Sequence, residues 1–205
     1  LWGVFAVIMA LILTHSYNRW FSHDEFEHIH TSWKMLQGQK IYVDFFQHHH
    51  PFLSYLIVPV IVVFGETTSS VFASRFLMFL MMSGILFVTY LIAMREFGKK
   101  EIGVISLILT STVVVFYGEA IEVRPDVPQA LAGLLSIYFL FAYSENKSRL
   151  SLALSAVFLA VSFLFLQKAI ALIIAMGLLF LYDLFRRRLS IKDAFFFAAV
   201  FILTL

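Results

Sequence analysis

The stretch VFASRFLMFLMMSGILFVTYLIAMR, residues 71–95, decides the fold class. Its only charges are Arg75 near one end and Arg95 at the other. A hydrocarbon core of ~30 Å takes about 20 helical residues to cross, so this run reads as one membrane-spanning helix. Working outward, apolar runs of the same kind recur near residues 1–18, 102–118, 127–143, 150–166, 169–185 and 193–205, the last incomplete. The expected fold is all-α: a polytopic transmembrane helix bundle of about seven membrane helices. Composition agrees, because the 205 residues are 61% hydrophobic and 14% charged, against roughly 45–50% and about 25% in a soluble domain. A net charge of +2, with the basic residues scattered in short loops, gives nucleic acid no electrostatic footprint and excludes it as a partner. The absence of cysteine removes disulfides and thiolate metal sites.

The first apolar run, residues 1–13, has neither a basic leader nor a small-x-small cleavage site, so it reads as a first membrane helix and not as a signal peptide. The chain opens on Leu1 and stops inside an apolar run at Leu205, which reads as a piece of a longer protein. Alternate loops carry Arg95, Lys99 and Lys100, then Lys147 and Arg149, then Arg186, Arg187, Arg188 and Lys192. The opposite loops carry only Arg124 and Lys168. The excess of Lys and Arg places the first set in the cytoplasm, and the long loop 19–70, with Arg124 and Lys168, outside. Within that loop, residues 51–64 are apolar but reach only ~20 Å as a helix and contain Pro59. They are expected to form an interfacial or re-entrant helix.

Ser22-His-Asp24-Glu25 has the form of a capping box and predicts a helix start. Phe26, Ile29, Trp33 and Leu36 then recur at spacings of three and four, and Gly38 supplies the terminator. The pattern predicts an amphipathic helix lying along the membrane surface. Asp24 and Glu25 have two readings: acids favoured by the positive end of a helix dipole, or general bases at the lip of a bundle. The run His48-His49-His50-Pro51 has three: a solvated interfacial stretch, a metal-binding stretch, or a contact for an anionic headgroup or phosphate.

These residues resemble a known family. Asp24-Glu25 after the first membrane helix, then Gly38, Tyr42, Asp44 and Phe45 spaced Gly-x-x-x-Tyr-x-Asp-Phe, then His49-His50-Pro51-Phe52-Leu53 opening a short apolar helix, is similar to the first external loop of the GT-C membrane glycosyltransferases. Within that superfamily the likeness is to bacterial relatives of the protein O-mannosyltransferases and of the lipid A aminoarabinose transferase, and Arg124-Pro125-Asp126 is similar to them as well. Phe52 departs from the pattern, which often has a second proline there. The resemblance implies that residues 1–205 are the N-terminal part of a GT-C transmembrane catalytic module in the plasma (inner) membrane, with interfacial helices in its first external loop. It further implies a polyprenyl-phosphate-linked sugar donor and Asp24 as catalytic base.

Transfer of a sugar from a lipid phosphate, which the resemblance implies is of the inverting kind, needs a base on the acceptor hydroxyl and cations near the leaving phosphate. The candidate catalytic residues are Asp24 and Glu25. The candidates for substrate or phosphate are His49, His50, Arg75, Arg124, Asp126 and Lys168, although Arg75 and Lys168 also fit plain snorkelling at helix ends. No cofactor is required by the sequence; a divalent metal is a possible addition, with His48, His50 and Asp126 as candidate ligands. The acceptor is an extracytoplasmic glycan, lipid or protein, and membrane lipids surround the bundle. The alternative is a transporter or flippase for a lipid-linked or anionic solute, which predicts charges near the midplane; runs such as 102–116 and 150–166 carry none. A non-catalytic scaffold is the third reading. Tyr42, Tyr117, Tyr138 and the 24 Phe residues carry no assigned role.

Overall fold

The structure, a computed structural model, describes residues 1–113, 116, 118 and 121–205. Part of the end of the expected span 102–118, with Tyr117, lies outside the described residues. The described elements are α1 (Trp2–Asn18), α2 (His23–Leu36), α3 (Phe52–Phe64), α4 (Thr68–Phe97), α5 (Lys100–Ser111), α6 (Asp126–Asn146), α7 (Arg149–Phe165), a 3-10 turn (Gln167–Ala169), α8 (Ile170–Phe185) and α9 (Ile191–Thr204). No strand occurs among the described residues, and the chain is an all-α membrane helix bundle. Three segments are long and apolar enough to cross a bilayer: Thr68–Phe97, Asp126–Asn146 and Gln167–Phe185. The apolar helices α1, α3 and α7 are shorter. The chain divides into two compact units, Leu1–Pro128 and Gln129–Leu205.

In the first unit α4 packs along α5, α1 packs on both, and α2 and α3 form a layer in which α3 rests on α4. Ile57 and Ile61 of α3 and Met78, Met82 and Leu86 of α4 are buried. Helices α4 and α5 approach closely at Gly103, where a methyl group would lie 2.7 Å from the Tyr90 ring. Only glycine leaves room for that contact.

The capping box forms with both of its bonds: the Ser22 backbone N–H donates to Glu25 Oε2 at 2.9 Å, and the Glu25 N–H donates to Ser22 Oγ at 3.3 Å. Helix α2 ends at Leu36, and Gly38 follows with φ +84, a left-handed conformation that glycine adopts without strain. The buried residues of α2 are Glu25, His28, Thr31 and Ser32, whereas Phe26 and Leu36 are exposed. The helix thus buries a polar strip against the protein, while Ile29 and Trp33 of its apolar stripe are half-buried and Asp24 and Glu27 are exposed. Helix α3 is a 13-residue element that runs through Pro59 and buries Leu53, Ser54, Ile57 and Ile61 on one face.

In the second unit α7 packs along α9, and buried Leu152, Ala156, Leu159, Met176, Phe180 and Phe197 form its core. Small polar residues join α6 to α7. Ser136 Oγ donates to the Ser155 carbonyl at 2.8 Å, and Ser155 Oγ returns a bond to the Ser136 carbonyl at 2.9 Å. Two turns further along, Ser162 Oγ donates to the Gln129 carbonyl at 2.9 Å. Apolar side chains gain little from leaving lipid for protein, so close packing of small residues and such bonds carry helix association. Replacing Ser155 by Ala is expected to cost about 1 kcal/mol, read as a lower thermal midpoint of the detergent-solubilised protein; an unchanged midpoint would show that the pair only fills space.

Candidate active site

The site is organised around a buried ion pair. Arg75, in the second turn of α4, and Glu25, in the first turn of α2, are both buried, and Arg75 Nε and Nη2 bond Glu25 Oε1 and Oε2 at 2.7 Å each. Arg75 Nη1 also donates to the carbonyls of Ser16 at 2.6 Å and Arg19 at 3.1 Å, and Nη2 donates to that of Trp20 at 2.9 Å. All five guanidinium N–H groups are thus used. Three of them close the C-terminal end of α1, where helix carbonyls lack internal partners. Phe21 covers the guanidinium, 4.7 Å from its ring centroid. Glu25 also accepts from the backbone N–H of Ser22 and, at 3.4 Å, of Val123. With the Arg75 bonds this gives each carboxylate oxygen two donors.

A second cluster lies at the start of α6. Pro125 holds the preceding residue away from helical geometry; Glu122 and Arg124 lie just before α6, and Asp126 opens it. Arg124 Nη1 lies 3.3 Å from Asp24 Oδ2 and 3.6 Å from Glu122 Oε2, and its Nε lies 3.5 Å from Asp126 Oδ2. Glu122 is buried and pairs with Arg19 Nη2 at 2.5 Å. Arg19 also donates to the Gly118 carbonyl, and Ser22 Oγ lies 3.4 Å from Glu122 Oε2.

The histidine run is pinned to α2 by Gln47. Its amide nitrogen donates to Thr31 Oγ1 at 2.9 Å, while its oxygen accepts from the backbone N–H groups of His48 at 2.8 Å and His49 at 3.2 Å. The turn before it is closed by Asp44, which accepts the Lys40 N–H at 2.6 Å, and Tyr42 donates its hydroxyl to the His49 carbonyl at 2.5 Å. The His49 ring packs between His48, at 3.9 Å between centroids, and His28, at 5.1 Å. His48 Nδ1 lies 3.4 Å from Glu27 Oε1. The Nδ1 atom of His49 is buried and without a hydrogen-bond partner among the described residues. Burial, and next the neighbouring His49, push the His28 imidazole down to about 4, against the pull of Glu27 and Asp24. Burial and then His48 likewise lower His49. Both rings are therefore neutral near pH 7 and offer hydrogen bonds, not charge.

The first unit brings Asp24, Arg124 and Asp126 into one cluster, with His49 near enough to feel the charges of Asp24 and Asp126. Asp24 and Glu25, adjacent in sequence, are separated in role: Asp24 is 53% exposed, and Glu25 is buried with its bonds filled. Arg75 is likewise saturated, so it neither snorkels nor has an N–H left for a phosphate. His50 is half-buried beside Pro51. Lys168 belongs to the second unit, exposed in its 3-10 turn. Among the described residues no three His, Asp or Glu side chains are grouped in a way that could hold a metal ion, and no step is assigned to one. The sequence reading did not single out Arg19, Glu122, His28 or Gln47.

An all-α membrane bundle with a cluster of carboxylates, arginines and imidazoles beside one interfacial helix defines a class of membrane proteins with polar chemistry at one end. Residues 48–205 match the model of the family described as dolichyl-phosphate-mannose-protein mannosyltransferase. The chain belongs to that family, and is thereby a membrane glycosyltransferase of GT-C type. No curated protein and no solved structure matches it.

Two outcomes follow from this geometry. Removing one partner of the buried pair, by Arg75→Met or Glu25→Met, is expected to cost about 3–5 kcal/mol, and the double Met variant to recover much of it. Thermal unfolding of the three variants checks this, and three equal losses would contradict it. The second concerns pH. The folded-state value for His28 lies below its ordinary 6.5, so the unfolded chain binds more protons as pH falls through the window from about 6.5 to about 4, and stability declines there. A His28→Gln variant should show a shallower decline between pH 7 and 4; parallel curves would assign the loss to other groups.

Proposed function

We propose that this chain carries the catalytic loop of a glycosyltransferase that moves a sugar from a polyprenyl-phosphate-linked donor to an extracytoplasmic acceptor with inversion, and that Asp24 is its general base. One observation carries the assignment. Asp24 is the most open of the four carboxylates around Arg75 and Arg124, 53% exposed against 39% for Asp126, with Glu122 and Glu25 buried. The family's description supports a mannosyl group on dolichyl phosphate or a related polyprenyl phosphate as donor. The distribution of basic loops supports an outward-facing site in the plasma membrane.

In the proposed step the acceptor hydroxyl gives its proton to Asp24 as its oxygen attacks the anomeric carbon. The bond from that carbon to the phosphate oxygen breaks, and the lipid phosphate leaves with the electron pair. A single displacement inverts the anomeric centre. Arg124, 3.3 Å from Asp24, orients the base and is the cation of this cluster placed to meet the leaving phosphate. His49 adds a neutral ring whose Nδ1 is unbonded.

The test is transfer of radiolabelled sugar from a polyprenyl-phosphate donor pool to membrane acceptors by the full-length protein and an Asp24→Asn variant at equal membrane abundance. A half-exposed ion pair contributes about 0–1 kcal/mol, so the variant should still fold. Loss of a positioned base should lower the rate roughly 10²–10⁴-fold. Equal transfer by both proteins would move the base to Asp126. No transfer by either, from any donor pool, would sink the reading in favour of transport of a lipid-linked or anionic solute.

A further inference from the structure

We infer that the basic end of the second unit is a binding site for an anionic phospholipid of the surrounding bilayer. The turn between α6 and α7 and the turn between α8 and α9 meet there. Lys147 Nζ donates to the Arg188 carbonyl at 3.3 Å and lies 5.1 Å above the Tyr143 ring, which ties the two turns together. Two clefts share this junction. One, of about 660 Å³, is lined by Lys147, Arg187, Arg188 and Ser190. The other, of about 610 Å³, has Lys147 and Arg188 at one side and continues onto Leu140, Leu179 and Phe180.

The charges of the clefts do not cancel internally. Asp193 is engaged by Ser190 Oγ at 2.6 Å and Tyr143 Oη at 3.0 Å, with Arg149 at 4.0 Å. Among the described residues no carboxylate lies within ion-pair distance of Lys147, Arg187 or Arg188. Lys147, Arg187 and Arg188 share one cleft with the already engaged Asp193, and Lys147 and Arg188 share the other with Asp183, so three cations stand against two acids across the junction. Orientation of a membrane protein asks only that basic residues lie near helix ends; it does not ask them to converge on a cleft with an apolar wall. A charged pocket joined to an apolar one has the shape of an amphiphile. The phosphate fits among Lys147, Arg187 and Arg188, where arginine forks suit its oxygens, and an acyl chain fits along Leu140, Leu179 and Phe180. Basic pockets between membrane helices bind anionic headgroups on this principle.

The test uses the full-length protein in neutral detergent, titrated with phosphatidylglycerol, phosphatidylcholine or inorganic phosphate while the thermal midpoint is followed. Phosphatidylglycerol should raise the midpoint saturably, and the other two should not. A Lys147→Gln/Arg188→Gln variant should need on the order of tenfold more phosphatidylglycerol for half the effect. An Arg186→Gln/Lys192→Gln variant, with the same charge removed at residues that line neither cleft, should stay close to wild type. If the double variant misfolds, Leu179→Trp, which fills the apolar limb from a part-exposed position, should produce the same loss. Equal losses in both charge variants would reduce the effect to general surface charge and overturn the site. Equal protection by inorganic phosphate, or none by phosphatidylglycerol, would overturn it too.

Discussion

The interaction on which the first unit depends is the ion pair between Arg75 and Glu25. Taking two charges out of water costs several kcal/mol each, repaid only when every donor and acceptor finds a partner. Here they do: five N–H groups on Arg75, two donors on each oxygen of Glu25. The partners come from four places in the chain, namely the end of α1, the first turn of α2, the second turn of α4 and the segment before α6. The pair therefore fixes how the chain leaves one membrane helix and enters the interfacial one. It also places the proposed base. Successive helical residues point about 100° apart, so burying Glu25 swings Asp24 round to the rim, within reach of Arg124. A fixed inward residue is what gives the outward one a fixed position.

The same logic governs α2 as a whole. In a soluble protein an amphipathic helix buries its apolar stripe; this one buries Glu25, His28, Thr31 and Ser32 and exposes Phe26 and Leu36. Its buried polar side chains find partners within the protein, where Gln47 bonds Thr31 and Arg75 bonds Glu25. The depressed titration of His28 is the cost of that inversion: a ring turned inward loses water and becomes hard to charge. The exchange of bonds between Ser136 and Ser155 is the corresponding solution in the second unit, with polar groups turned to a neighbouring helix.

Much of this was legible in the residues. Membrane helices follow from uninterrupted apolar length, and the capping box of Ser22 and Glu25 from a four-residue pattern whose two bonds are local. The direction in which Arg75 turns was not legible, because its carboxylate lies 50 positions away and a lone arginine near a helix end fits snorkelling, anion binding or pairing equally well. Nor was the split between Asp24 and Glu25, since helix position alone treats both as first-turn acids. Glu122 was hidden by its setting in a mixed loop, where no periodicity marks a buried residue. The family match begins at residue 48, so the argument for Asp24 rests on a loop whose resemblance and geometry had to be read directly.

Arg124 sets the remaining constraint on the chemistry. It stands among Asp24, Glu122 and Asp126, so its charge is already shared before any donor phosphate arrives. In the proposed step a donor phosphate would compete with Asp24 and Asp126 for the Arg124 guanidinium. On that proposal, donor binding and the position of Asp24 are coupled through one guanidinium. Glu122 is held more closely by Arg19, at 2.5 Å, than by Arg124, at 3.6 Å. The buried pair and the Arg19 bridge give the first unit its shape, and Asp24, Arg124 and Asp126 form the more open cluster beside them.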